Sequence, residues 1–199
     1  MTLSGNYSEM RDRLLFIDTE TGGMNPDKHS LLSLAMVIWE DMEIIDSQEL
    51  LINDGILSVT SEALSVNKID IEKHKQSAIS PSQAIEKILL FIGSHFPERG
   101  KITLAGHNVH FDANFLRSFF SKNNLKFNEL FSHRIVDTSS ILYYLYLAGQ
   151  IKYKAISSDE AFDYFGIKVE GRHTAIGDAM ATAELFTRLL SLIKNLEFR

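Results

Sequence analysis

Two acidic residues follow an apolar run near the beginning of the chain. Residues 14–17 are all apolar, and Asp18, Thr19 and Glu20 come directly after them. A continuous apolar run is typical of a strand buried on both faces. Because side chains alternate along a strand, we expect Asp18 and Glu20 on one side and Thr19 on the other.

Neighbouring carboxylates at the end of a buried strand repel each other and resist loss of water. A hard divalent cation bound through oxygen ligands would offset that repulsion. A D-x-E triplet is weak evidence by itself, because such triplets also occur by chance on exposed strand ends. The remaining acids of the chain therefore decide whether this pair is functional.

A third acid, Asp112, follows a second apolar strand, predicted at 101–106, and lies about one turn into a helix predicted at 107–122. Sites in open α/β sheets form where strands end, so Asp112 could face the end of the first strand if the two strands are neighbours. The alternative is a carboxylate that only stabilises the helix dipole.

A fourth acid, Asp178, lies early in the last predicted helix, 175–196, among the small residues Gly177, Ala179 and Ala181. Small residues allow a helix to approach another backbone closely. His173 precedes Asp178 by five positions, at or before the start of this helix. It could be a loop histidine without a role, but beside several acids an imidazole can act as a base near neutral pH.

The secondary-structure elements that must position these residues follow a simple order along the chain. Three consecutive strands come first, and alternating helices and strands follow them. The predicted strands are 13–19, 31–39, 44–52, 101–106 and 134–137, with the second and third forming a hairpin. Helices are predicted from about 60, from Pro81 to near Pro97, and at 107–122, 138–147, 157–165 and 175–196. This order predicts an α/β fold with a mixed five-stranded sheet flanked by helices. We expect a lead-in at 1–12 and a single domain at 13–196.

Composition excludes several other classes of protein. The chain has 199 residues and no cysteine, which excludes disulfides and thiolate chemistry and suits a reducing cytoplasm. No apolar run approaches the roughly 20 residues of a membrane helix. The formal net charge of −6 argues against a broad nucleic-acid-binding surface, although a small site charged by bound metal remains compatible.

Taken together, three motifs resemble the signature of the DEDDh 3′-to-5′ exonucleases. They are Asp18-x-Glu20, His107-Asn108-x-x-Phe111-Asp112 and His173-x-x-x-x-Asp178. That family includes the epsilon proofreading subunit of DNA polymerase III, ribonuclease T and oligoribonuclease. The resemblance spans about residues 13–190, and segments 60–63 and 136–138 also fit it. A sister type has Tyr four positions before the last Asp, where this chain has Thr174.

The resemblance implies a ribonuclease H-like fold and two-metal hydrolysis at the 3′ end of single-stranded DNA or RNA. It implies that two Mg²⁺ ions, replaceable by Mn²⁺, are held by Asp18, Glu20, Asp112 and Asp178. Asp18 would bridge the ions, and Asp112 could act through water. His173 would take a proton from the attacking water and must be neutral to do so.

The resemblance also implies contacts to the terminal nucleotide from Thr21, Gly22, Met24, Asn108 and Phe111. Met24 could equally be an ordinary loop residue, and Phe111 could belong to the core. His107 and His110 receive no role. Asp137 is explained equally well as the cap of the next helix.

Two alternatives to a free-standing exonuclease follow from the same residues. One is a proofreading or accessory subunit of a DNA polymerase. The chain ends shortly after its last predicted helix, so we expect no polymerase-binding tail of the epsilon type. The other is a nucleic-acid-binding module without catalysis, which the presence of all five polar residues argues against. A homodimer is plausible by analogy with ribonuclease T, and the sequence does not choose DNA over RNA.

Overall fold

The structure is a computed structural model that describes residues 13–97, 100–152, 154 and 157–194. The predicted lead-in, residues 1–12, lies outside the described residues. So does the end of the last predicted helix, residues 195 and 196.

The centre of the fold is a mixed five-stranded sheet with the order β3-β2-β1-β4-β5. The first three strands are antiparallel, and β4 and β5 continue the sheet parallel to β1. The strands are β1 Arg13–Thr21, β2 Leu31–Glu40, β3 Glu43–Leu51, β4 Ile102–Gly106 and β5 Phe131–Asp137. The predicted α/β architecture is therefore confirmed, with β5 starting three residues earlier than expected.

Helices connect the strands and cover both faces of the sheet. Their bounds are α1 Ser61–Asn67, α2 Ile71–Ser77, α3 Pro81–His95, α4 His110–Lys122, α5 Phe127–Leu130, α6 Thr138–Leu147, α7 Ser158–Phe165 and α8 Ala175–Lys194. Ser80 and Ser157 open α3 and α7 with capping boxes, in which each side chain accepts from the backbone three residues on. These caps explain why both helix starts could be predicted to within a residue.

The sequence analysis missed two short helices and misplaced the start of a third helix. The short helices α2 and α5 were not expected, and α4 begins at His110 rather than at residue 107. Asn108 has a φ of 56°, which a right-handed helix does not allow. Its backbone N–H donates to Asp137 Oδ1 at 2.9 Å, so a turn precedes the helix.

The two faces of β1 pack against different helices. Leu15 and Ile17 belong to the core that also contains residues of α3 and α4. Leu14 and Phe16 face α8 instead, together with its buried alanines, Ala175, Ala179 and Ala183. Even-numbered residues of β1 therefore point toward α8, and odd-numbered residues point toward α4.

Among the described residues, no helix is both long enough and apolar enough to cross a membrane.

Candidate metal centre

Three of the predicted acids converge at the end of β1. Asp18, Glu20 and Asp178 each offer a carboxylate oxygen, and the three oxygens lie within 4.8 Å of one another. Asp18 and Glu20 share the face of β1 that points toward α8, and Asp178 lies in the first turn of that helix. The close approach of α8 through its alanines brings Asp178 to the two strand carboxylates.

Burial and mutual repulsion raise the pKa values of this cluster. Burial and the neighbouring carboxylates raise the pKa of Asp18 well above its usual value. Burial, Asp178 and Asp112 raise the pKa of Glu20 to about 8. The pKa of Asp178 is also raised by burial, although Arg172 opposes the shift. The cluster therefore favours a bound cation or protons over three free charges.

The donor set fits a hard divalent cation. Carboxylate oxygens are the ligands that Mg²⁺ and Mn²⁺ prefer. Asp178 Oδ1 is buried and accepts no well-formed hydrogen bond from the described residues, although the guanidinium of Arg172 forms an ion pair with it. A metal ion bound by this oxygen would replace only its contact with Arg172.

Asp112 lies beside this cluster but not within it. Its side chain is buried, and Thr19 Oγ1 donates a hydrogen bond to its Oδ1 at 2.6 Å. Thr19 points away from Asp18 and Glu20, so Asp112 approaches β1 from the α4 side. Burial raises the pKa of Asp112 to about 7, while the Thr19 hydrogen bond lowers it. The charge of Asp112 nevertheless raises the pKa of both Asp18 and Glu20.

His173 is half-buried in the loop that leads into α8 and has a φ of 66°. The loop is tied to the helix by Thr174, whose Oγ1 donates to Gly171 O and accepts from Gly177 N. His173 is near enough to Asp178 for its charge to lower the pKa of that carboxyl. His173 is therefore in the surroundings of Asp178, and it lies outside the group of three converging carboxylates.

Arg172 is a site residue that the sequence analysis missed. Its guanidinium forms ion pairs with both Asp178 and Asp159, the latter at 2.6 Å. The available signal was its position directly before His173. Its partner Asp159, on α7, could not have been recognised, because nothing in the sequence relates that exposed acid to the motifs.

The predicted nucleotide-contacting residues of the β1–β2 turn differ in exposure. Thr21 is buried, and its Oγ1 donates to Gly23 O at 2.9 Å. Gly22 donates its N–H to Ser30 O and accepts from Thr60 N, and a β-carbon on it would lie 2.0 Å from Ser58 O. Met24 is 79% exposed at the surface of the turn.

The two predicted residues near α4 also differ. Asn108 is exposed in the turn before the helix. Phe111 is half-buried and packs on the core, with its ring centroid 5.0 Å from that of Phe115. Asp137 caps α6 by accepting from Ser139 N, so the capping explanation of this residue is confirmed.

A cavity of about 380 Å³ lies elsewhere, between the β1–β2 turn and α4. Its lining includes Pro26, His29, Phe115 and Lys122 and none of the four acids. The candidate catalytic groups therefore lie in the acidic centre and not in this cavity.

Comparison with known proteins agrees with this geometry. Residues 15–186 match the RNase_T family model, which is described as Exonuclease. Ribonuclease T of Wigglesworthia glossinidia brevipalpis is 28% identical over 193 residues, which cover 90% of this chain and 85% of that protein. The PolC-type DNA polymerase III of Caldanaerobacter subterraneus subsp. tengcongensis is 25% identical over 95% of this chain but only 12% of its own length.

Solved structures share the fold at low sequence identity. Escherichia coli exonuclease I in complex with a dT13 oligonucleotide superposes with a TM-score of 0.78 and 16% identity, covering 92% of this chain and 42% of that one. The nuclease domain of 3′hExo, a DEDDh family member bound to rAMP, gives a TM-score of 0.74 and 16% identity, covering 96% of both chains. These neighbours confirm the predicted ribonuclease H-like fold. With most of its length matching the family model, the chain belongs to the RNase T family of exonucleases.

Proposed function

We propose that this exonuclease hydrolyses phosphodiester bonds at the 3′ end of single-stranded nucleic acid, using divalent ions held by Asp18, Glu20 and Asp178. The observation that carries the proposal is the convergence of these three carboxylates from β1 and α8. Asp112, whose charge acts on the cluster from the other side of β1, would complete the set of four. We propose Mg²⁺ as the ion, with Mn²⁺ as a substitute.

The roles of the protein groups follow from their positions. Bound divalent ions would supply stabilisation of the negative charge on the attacking and leaving oxygens. The carboxylates of Asp18 and Glu20 stand side by side on one rigid strand, which fixes their separation. Thr19 holds Asp112 by its hydroxyl, so that this carboxylate cannot rotate freely.

We assign the general base to His173. A neutral imidazole can accept a proton from the attacking water, and this type of catalysis contributes about 10²–10⁴ in rate. The loop that carries it is attached to α8 through Thr174, which keeps the imidazole near Asp178.

Contacts to the terminal nucleotide are proposed for the residues around the centre. Met24 is exposed and offers an apolar surface. Asn108 is also exposed and offers a polar group. Both backbone hydrogen-bonding groups of Gly22 are already paired within the protein, so it and the buried Thr21 would contribute shape. Phe111, which packs on the core, would form the floor of the site.

The neighbours that crystallised with dT13 and with rAMP support a single-stranded substrate and do not select DNA over RNA. A panel of single-stranded DNA, single-stranded RNA and short oligoribonucleotides would decide the preference. A homodimer and a cytoplasmic location stay predictions.

The test is degradation of a 5′-labelled single-stranded oligonucleotide in Mg²⁺ or Mn²⁺. The wild-type protein should produce a ladder of shorter 5′-labelled products, and chelation of the metal should stop the reaction. Asp18→Asn should reduce the rate by more than about 100-fold, because even the outer partners of metal ligands contribute about 10- to 100-fold. His173→Gln should reduce it by about 100-fold or more.

Glu86→Gln, an exposed substitution on α3, is the matched control and should leave the rate unchanged. Full activity in Asp18→Asn would disprove the assignment of the site.

The similarity to a PolC-type polymerase supports one alternative, a proofreading role beside a polymerase. If that alternative holds, the purified chain should prefer mismatched 3′ ends of a duplex over free single strands.

A further inference from the structure

Arg172 connects the acidic centre to a helix that carries none of its ligands. Its Nη1 forms an ion pair with Asp178, while its Nε donates to Asp159 Oδ1 at 2.7 Å. Its Nη2 lies 2.6 Å from the same Asp159 oxygen and donates to Ser158 Oγ at 3.2 Å. Both of these partners lie at the start of α7. One guanidinium therefore joins α7 to the first turn of α8.

More nitrogens of the guanidinium contact α7 than contact Asp178. Two of them, Nε and Nη2, contact α7, and only Nη1 contacts Asp178. The guanidinium carbon also lies 5.6 Å from the centre of the Phe162 ring on α7. Because a guanidinium has five N–H donors in a fixed fork, it can lose the contact to Asp178 and keep its anchor on α7.

The positive charge of Arg172 reaches the whole cluster. It lowers the pKa of Asp18 and of Glu20 as well as that of Asp178. In the absence of a metal ion, Arg172 thus offsets part of the repulsion that the acids exert on one another. A divalent cation at the same carboxylates would be repelled by this guanidinium.

We propose that Arg172 is a built-in counter-cation of the acidic centre, which pairs with Asp178 until a divalent ion binds and is then retained by Asp159. The inference rests on the proposed function, because it concerns the same metal centre. Metal binding exchanges one cation for another at Asp178, and Asp159 sets how readily the exchange occurs. The same anchor keeps the neighbouring His173 at the centre after the exchange.

The proposal predicts opposite effects for two substitutions on the affinity for Mn²⁺, measured by calorimetry without substrate. Arg172→Gln removes the competing charge and should tighten Mn²⁺ binding by about fivefold or more, as expected for a coupling between two bound ligands. Asp159→Asn removes the anchor that draws the guanidinium away and should weaken binding by about the same factor.

The double variant Arg172→Gln/Asp159→Asn separates this coupling from a direct effect of the Asp159 charge. If Asp159 acts through Arg172, its substitution changes little once Arg172 is absent. Arg172→Lys keeps the charge but has a single nitrogen, so it cannot hold Asp159 through two nitrogens as the guanidinium does, and it should weaken Mn²⁺ binding as Asp159→Asn does. Arg188→Gln, which removes an exposed arginine paired with Glu184 further along α8, is the matched control and should leave the affinity unchanged.

The results distinguish failure of this inference from failure of the proposed function. If the wild-type protein binds no Mn²⁺, or if the Asp18→Asn variant binds it as well as the wild type, the proposed metal centre itself is wrong. If the wild-type protein binds Mn²⁺ and the Arg172→Gln variant binds it equally well or more weakly, only the proposed role of Arg172 as a counter-cation is wrong. An equal effect of Asp159→Asn with and without Arg172 also overturns it.

Discussion

The hydrogen bond from Thr19 to Asp112 shows that acids approach β1 from both of its faces. Asp18 and Glu20 point toward α8, and Thr19, between them, points toward α4 and holds Asp112 at 2.6 Å. The sequence predicts this alternation, because it follows from strand geometry alone. It did not predict that Thr19 would donate a hydrogen bond to Asp112, since that pairing depends on where α4 packs.

Thr19→Val should destabilise the metal-free protein, and more at high pH than at low pH. Burial raises the pKa of Asp112 to about 7, so this carboxyl is charged at pH 8.5 and neutral at pH 5. Loss of a hydrogen bond to a charged group removes about 1.5–3 kcal/mol, and loss of a neutral one about 1 kcal/mol. Urea unfolding at both pH values measures the difference.

Thr19→Ser, which keeps the hydroxyl, is the control and should lose little. If Thr19→Val lost equal stability at both pH values, the hydroxyl would not be stabilising a charged Asp112.

At the scale of the element, the loop before α8 depends on a glycine in that helix. A β-carbon on Gly177 would lie 2.4 Å from Gly171 O and 2.5 Å from Glu170 O. Both oxygens belong to backbone, which cannot turn away as a side chain can. The missing side chain therefore sets how closely the loop with Arg172 and His173 can lie against α8.

Gly177→Ala should reduce activity by about tenfold or more, because a displacement of about 1 Å at a catalytic group can cost as much as 10²-fold. The expected effect is on kcat, since the displaced loop carries the proposed base. Oligonucleotide hydrolysis under saturating substrate measures it, and circular dichroism shows whether the helical content of the protein is retained.

Gly93→Ala is the matched control in another helix, α3, where a β-carbon would meet no atom within 4 Å. It should leave activity unchanged and stabilise the protein by up to about 1 kcal/mol, the usual gain from Gly to Ala in a helix. If Gly177→Ala and Gly93→Ala had equal kcat values, the position of the loop would not depend on Gly177.

The elements could be predicted where local signals and burial agree. The apolar runs of β1, β2 and β4 and the capping serines of α3 and α7 each carry such a signal. Helix α2 was missed because His74 is its only buried residue, so it has almost no apolar pattern. The start of α4 was misplaced because the turn at Asn108 is stabilised by Asp137, a residue distant in sequence.

For the whole molecule, the acidic centre links stability to pH and to metal. Burial and neighbouring acids raise the folded-state pKa of Glu20 from 4.5 to about 8. The folded protein therefore binds more protons than the unfolded chain between these values. The stability contributed by this group is fully present below the unfolded pKa and is lost as pH rises toward the folded pKa.

In the presence of a chelator, the midpoint temperature of thermal unfolding should therefore decrease as the pH rises from about 5 to about 8. Glu20→Gln should make this decrease smaller. Mn²⁺ should raise the midpoint more at pH 8 than at pH 5, because it competes with protons for the same carboxylates. Differential scanning fluorimetry across this range measures both effects. A Glu20→Gln slope equal to that of the wild type would contradict the coupling.

The order of the sheet has a consequence for how the enzyme is made. Strand β1 pairs with β4 through Leu15 and Leu104, and Asp178 arrives only with the last helix. A ribosome-bound chain that has completed the β1–β2–β3 hairpins carries Asp18 and Glu20 without the residues that finish the centre. Because Asp178 is synthesised after the other three acids, and contacts between distant residues form slowly, nuclease activity should emerge late.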